Sequence, residues 1–165
     1  MALLHGASGV TTNPLLSYRA WAAKPDYFRA LLGALPAGVS PEEKADLLMR
    51  VVVQDAARKL EAIYHKWDGA QGYACAQVNP ARAGDREAML QMARVHHAWA
   101  PNIAVKLPVN LAGLDVLEEC VAEGITCTAT VSFTVPQVLA IAERHRLGCQ
   151  RARKAGIVPG HCFSV

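Results

Sequence analysis

The chain has 165 residues and a mass of 17.7 kDa, is 52% hydrophobic and 19% charged, and carries a formal net charge of +3. This size and composition read as one globular domain, residues 1–165, and exclude a disordered chain. The densest basic stretch, Arg144 to Lys154, lacks interleaved aromatics, so it reads as a solvated helix face and nucleic acid is not an expected partner.

The elements alternate along the chain. Residues 5 to 12 read as a short strand ending in Thr11-Thr12-Asn13-Pro14, and Pro14 keeps Asn13 out of a helix, at a strand-to-loop junction. Tyr18 to Ala22 and Asp26 to Ala34 read as short helices. Ser40-Pro41-Glu42-Glu43 marks a strong helix start, with Ser40 as N-cap, Pro41 at the first helical position and Glu43 closing a capping box. The stripe Leu47, Leu48, Val51, Val52, Ala56, Leu60 and Ile63 carries that helix to about Trp67, where Asp68-Gly69 ends it. Residues 73 to 79 read as a strand and Asp85 to Ala98 as a helix with Met89, Met92, Ala93 and His96 on its apolar side. His96 and His97 have no ligand-spaced carboxylate or cysteine and read as structural or exposed. Strand 102 to 109 is followed by a helix from Gly113 to Glu123, stopped by Gly124. Strand 125 to 133, a helix from Val135 to Lys154 with a break near Gly148, and a strand beginning near His161 complete the pattern.

No apolar run reaches membrane-spanning length and the opening residues do not read as a signal peptide, so no membrane association is expected. The five cysteines, Cys75, Cys120, Cys127, Cys149 and Cys162, are odd in number and lack C-x-x-C spacing, which suggests neither a disulfide framework nor a zinc site. Cys75 and Cys127 read as small buried thiols, and a reducing cytoplasm is the expected location.

Strands alternating with helices imply a parallel sheet, either doubly wound or closed as a barrel. The strand faces discriminate. Thr126, Thr128, Thr130 and Ser132 share one face, Ala104, Lys106 and Pro108 another, and Cys75, Gln77 and Asn79 a third; Thr11 and Asn13 share a side. A doubly wound sheet, covered on both faces, gives continuous apolar runs instead. Barrel active sites gather at the C-terminal ends of strands. Lys106 is the most informative member, because it interrupts the apolar run Ile103 to Val109. Apolar surroundings favour the free amine of a lysine, and free amine attacks carbonyl carbon to form a Schiff base. A lone strand lysine more often keeps its head in water; four strands pointing polar groups to one side favour a site.

The motifs Gly-Val-Thr-Thr-Asn-Pro (9–14), Val-Lys-Leu-Pro-Val (105–109), Ala-Gly-Leu (112–114), Glu-Gly-Ile-Thr (123–126) and Thr-Val-Ser-Phe-Thr-Val-Pro-Gln (130–137) resemble the transaldolase and fructose-6-phosphate aldolase-like family over nearly the whole chain. The resemblance implies a (β/α)8 TIM-barrel fold and class I Schiff-base chemistry that needs no metal or other cofactor. It implies transfer of a dihydroxyacetone unit between sugar phosphates, in carbohydrate metabolism (the pentose phosphate pathway). It makes Lys106 the imine-forming lysine, Thr130 the holder of the catalytic water, and Gln77 an orienter of that water in place of the family's frequent glutamate. It makes Thr11 and Asn13 substrate contacts, Asn13 binding a hydroxyl of the dihydroxyacetone part; Thr128 and Ser132 join them on the polar face as substrate-binding candidates. The family's proton-shuttling aspartate on the first strand, and its later serine and arginine for phosphate, have no counterpart here. The chain therefore reads as an incomplete barrel, about strands two to five plus the start of six, against the roughly 250 residues of a full one. Open sheet edges invite a second copy or a completing chain. Two readings stand: a transaldolase-family enzyme, or a catalytically impaired remnant or interaction module that keeps the motifs. A deoxyribose-phosphate type of aldolase fits Thr-Thr-Asn-Pro and Thr-Val-Ser-Phe poorly.

Overall fold

The structure is a computed structural model that describes residues 6–33 and 38–165. The chain divides into two compact units, Met1–Ala76 and Gln77–Val165. In the first, β1 (Gly9–Val10), α1 (Pro14–Ala23), α2 (Pro25–Leu32) and α3 (Pro41–Lys66) lead to β2 (Tyr73–Gln77), whose last residue opens the second unit. β1 and β2 pair in parallel, Gly9 opposite Tyr73 and Val10 opposite Ala74.

The first strand is much shorter than the expected 5–12, of which residue 5 lies outside the described residues. Thr12 shows why it stops. Its buried hydroxyl donates to the Cys75 carbonyl at 2.6 Å, a bond from side chain rather than from backbone. Asn13 then takes an extended conformation (φ −152°), accepts the Leu16 amide at 2.7 Å and caps α1, which begins at Pro14 rather than Tyr18. The end of the second expected helix, Ala34, lies outside the described residues.

The capping box of α3 is complete: the Glu43 amide donates to Ser40 Oγ at 3.2 Å and the Ser40 amide to Glu43 Oε2 at 2.8 Å. α1 and α2 pack on α3 over Phe28, Met49, Val52, Val53, Ala57 and Leu60, all buried. Asp55 is buried on the same helix and accepts from Tyr27 Oη at 2.6 Å, Arg58 and Lys59. Burial alone would raise its carboxyl, but the bonds from Lys59, Tyr27 and Arg58 outweigh it and hold the group below the usual range.

The second unit carries α4 (Arg86–His97), β3 (Ile103–Pro108), α5 (Leu111–Ala122), β4 (Cys127–Thr130), α6 (Val135–Lys154) and β5 (Cys162–Ser164). β3, β4 and β5 are parallel neighbours in chain order, with Val105 opposite Cys127, Lys106 opposite Thr128, Pro108 opposite Thr130, and Thr128 opposite Phe163. Asp85, Asn110 and Thr134 cap the three helices through side-chain oxygens. Parallel strands that follow chain order with helical crossovers, five among the described residues, make this an α/β fold of the (β/α) barrel type, incomplete against a barrel's eight.

Two expectations are corrected here. The strand expected over 125–133 ends at Thr130, because Val131 adopts φ 65°, a left-handed conformation costly for a β-branched residue. Ser132 consequently leaves the polar strand face. α6 has no break at Gly148. A Cβ there would lie 2.8 Å from Glu118 O and 2.8 Å from Val121 Cβ, so the glycine serves close approach of α6 to α5. The basic stretch is largely solvated as expected, Arg146, Arg151, Arg153 and Lys154 being exposed, and it also reaches across to α5: Arg144 pairs with Asp115 and Glu118 at 2.9 Å each, and Arg151 with Glu119 at 2.8 Å and Glu118 at 3.1 Å.

Cys127 is buried as expected, whereas Cys75 is only half-buried. His96 is the structural member of its pair, buried and packed at a tilt against Trp99 at 4.2 Å between ring centroids. No described helix is long and apolar enough to cross a membrane.

Candidate active site

The second unit brings together most of the residues singled out in the sequence. The Val78 amide donates to the Lys106 carbonyl at 3.2 Å. In a parallel ladder that bond sets Val78 opposite Leu107, and therefore Gln77 beside Lys106. With the pairing of Lys106 to Thr128 and of Thr128 to Phe163, one row runs Gln77, Lys106, Thr128, Phe163 across neighbouring strands. Paired residues of a parallel sheet project to the same face.

Which face this is follows from the opposite row. Cys127, opposite Val105, is wholly buried with it, as is Cys120 of α5, the helix that packs on both strands, so Val105 and Cys127 point at the helices. The neighbouring Cys120 thiol, and then burial, push the Cys127 thiol up. Val105, Leu107, Val116, Leu117, Cys120 and Val121 are almost completely buried in that layer. Lys106 and its row lie on the face turned away from α5.

Lys106 is half-buried, and among the described residues no carboxylate pairs with it. Gln77 and Thr130 are half-buried too, while Thr128 is 2% exposed. Thr130 stands at the C-terminal end of β4 opposite Pro108, two residues beyond Lys106 on β3. A short alternation is what puts lysine and threonines on one side, and it was readable from sequence; the register that aligns them was not.

Ser132 is set apart. Its hydroxyl lies 3.0 Å from Ser164 Oγ and 3.3 Å from Val165 O, at the end of β5. Thr11 and Asn13 belong to the first unit, Thr11 exposed just beyond β1 and Asn13 with its Oδ1 engaged in the α1 cap. Sequence reasoning missed Phe163 beside Thr128 and the role of Gln137, whose side chain ties together the loop after Thr130. The Thr134-x-x-Gln137 capping signature was the available signal for the latter.

A parallel α/β unit of barrel type with a half-buried strand lysine amid threonine and glutamine is the class of protein that the geometry defines. Comparison with known proteins agrees: residues 2–158 match the family described as Transaldolase/Fructose-6-phosphate aldolase, and the chain belongs to it. It is 31% identical over 152 residues to a transaldolase of Thermobifida fusca, covering 90% of this chain and 41% of that protein. It is 30% identical over 152 residues to transaldolase 1 of Streptomyces avermitilis (90% and 40%), and 27% over 161 residues to a transaldolase of Neisseria gonorrhoeae (96% and 46%). The chain thus spans about two fifths of the length of the first of these relatives.

Proposed function

We propose that this chain carries the Schiff-base machinery of transaldolase-type chemistry, acting on sugar phosphates through Lys106. The observation that carries the reading is the row Gln77, Lys106, Thr128, with Thr130 at the strand end just beyond. In this reading the Lys106 amine attacks a substrate carbonyl carbon and forms a carbinolamine. Loss of water then gives the imine, which acts as the electron sink when the bond between its α- and β-carbons breaks: the β-hydroxyl gives its proton to water, the β-carbon leaves as an aldehyde, and the electron pair remains as an enamine that can add to an acceptor aldehyde. Thr130 holds the water that leaves and returns, and Gln77 orients it; an amide cannot exchange protons as a carboxylate does, so Gln77 acts by hydrogen bonding alone. Thr11, Asn13 and Thr128 meet substrate hydroxyls. Asn13 would do so through its Nδ2, since Oδ1 is held by the Leu16 amide. Ser132 would join them only by exchanging its bond to Ser164 for a substrate hydroxyl. The reaction belongs to carbohydrate metabolism, with the cytoplasm as its setting.

An amide rather than a carboxylate beside Lys106, at Gln77, favours a second reading, a catalytically impaired remnant that forms the imine but does not turn over, or an interaction module. Borohydride trapping separates the readings. Incubation with dihydroxyacetone or fructose 6-phosphate and borohydride converts the imine to a secondary amine, hydride adding to carbon and a solvent proton to nitrogen. Intact mass should show a covalent adduct that is absent in Lys106→Ala. A folded wild-type chain that gives no adduct overturns the Schiff-base proposal, and an adduct without sugar turnover supports the remnant.

A further inference from the structure

Gln137 makes more hydrogen bonds than a helix cap requires. Its Oε1 accepts from the amides of Phe133 at 3.0 Å and Thr134 at 3.1 Å and from Thr134 Oγ1 at 3.0 Å. Its Nε2 donates to Val131 O at 3.1 Å and reaches Val109 O at 3.5 Å. The capping half of this pattern needs only an acceptor, which a glutamate supplies equally well. The two carbonyls need a donor, which only the amide has.

Those carbonyls sit at consequential places. Val109 follows the end of β3, three residues after Lys106, and its own amide donates to Thr130 O at 2.9 Å. Val131 follows Thr130 directly and holds the left-handed φ of 65°. Such a conformation persists in a β-branched residue only where its surroundings over-determine it. Gln137 supplies one of the bonds that do so, and with the same nitrogen bridges the two strand ends.

We infer that Gln137 is a positioning residue that clamps the C-terminal ends of β3 and β4 and so sets Lys106 against Thr130. The inference rests on the Schiff-base reading for its consequence, though not for the clamp itself. Gln137 touches no reacting atom; it acts through the backbone that carries the two residues.

The discriminating variant is Gln137→Glu. It keeps the oxygen that caps α6 and loses the donor, so the helix forms and the clamp opens. Two measurements on the full chain decide the matter. Hydrogen exchange of the Val109 amide, followed by NMR, should quicken about five- to tenfold, the loss of about one hydrogen bond, while amides inside α6 keep their protection. An unchanged Val109 amide overturns the clamp. Trapping with dihydroxyacetone and borohydride should slow roughly 10- to 100-fold, since small misplacements of reacting groups weigh that heavily. The double variant Thr130→Ala/Gln137→Glu should be no slower than the slower single variant, because both remove the same alignment. Fully additive losses would show that Gln137 acts elsewhere and sink the positioning role. If the wild-type chain gives no adduct, the Schiff-base reading falls, and the clamp is decided by the Val109 amide alone.

Discussion

Replacing His96 by phenylalanine should flatten the pH dependence of stability between pH 7.5 and pH 4. His96 is 4% exposed, packs its ring at a tilt against Trp99 and, among the described residues, finds no hydrogen-bond partner for its Nδ1. Burial lowers its pKa from 6.5 to about 4. The unfolded chain takes up the proton near pH 6.5 and the folded chain only near pH 4, so between these values the unfolded state binds more protons and stability rises with pH. The contribution is fully present above pH 6.5 and disappears as pH falls to about 4. A shift of that size corresponds to about 3 kcal/mol, at 1.36 kcal/mol per pH unit. Neighbouring His97, also lowered by burial, adds a smaller slope of the same sign that both proteins keep. Phenylalanine preserves the ring against Trp99 and cannot titrate. Urea unfolding followed by circular dichroism in half-unit pH steps should show the wild type losing about 3 kcal/mol more than His96→Phe over this range. Parallel profiles would refute the reasoning and mean that His96 is protonated in the fold as easily as in the unfolded chain.

Two further substitutions test the packing. Gly148→Ala should lower stability by about 1–2 kcal/mol, overpacking against Glu118 and Val121 outweighing the better helix propensity; thermal unfolding checks this, and a raised melting temperature would contradict the close approach of α6 to α5. Asp55→Asn should cost about 1–2 kcal/mol at neutral pH, because it weakens the bonds from Lys59 and Arg58, whose exposed heads limit the effect. That deficit should vanish below the usual aspartate range, as wild-type Asp55 itself takes a proton, which melts at falling pH will read.

Local signals were legible in the sequence wherever a few adjacent residues decide the structure. The Ser40–Glu43 capping box needs only its own four residues, and it formed as read. Alternation put Thr128 and Thr130 on one face of their strand and Lys106 on the less apolar face of its own, while only the pairing of the strands lines the two faces up. Ser132 was misplaced because the alternation ends where Val131 turns left-handed, a conformation that valine's own preferences oppose and its surroundings enforce. Gly148 reads equally as a helix breaker or as a point of close contact, and only the position of α5 decides. The pairing of Arg144 and Arg151 with α5 was hidden for the same reason: ion pairs between helices depend on which faces meet.

The polar row can exist because the other side of the sheet is so completely apolar. Thr126 and Thr128 occupy buried positions that would otherwise contribute hydrophobic area, and such positions stabilise only when their hydroxyls find partners. The helix-facing row makes up the difference, with Ile103, Val105, Leu107, Cys127 and Ala129 at most 1% exposed against α5. Ion pairs from Arg86 and Arg94 on α4, and from Arg144 and Arg151 on α6, converge on the acidic residues of α5 and its C-cap Glu123 and hold that layer from both sides. Rigidity behind the sheet is what lets a few hydrogen bonds at its end, those of Gln137 above all, fix the spacing between a lysine and a threonine. Residues on the polar row are therefore freer to answer to chemistry than residues on the helix row, where a single lost methylene opens a cavity.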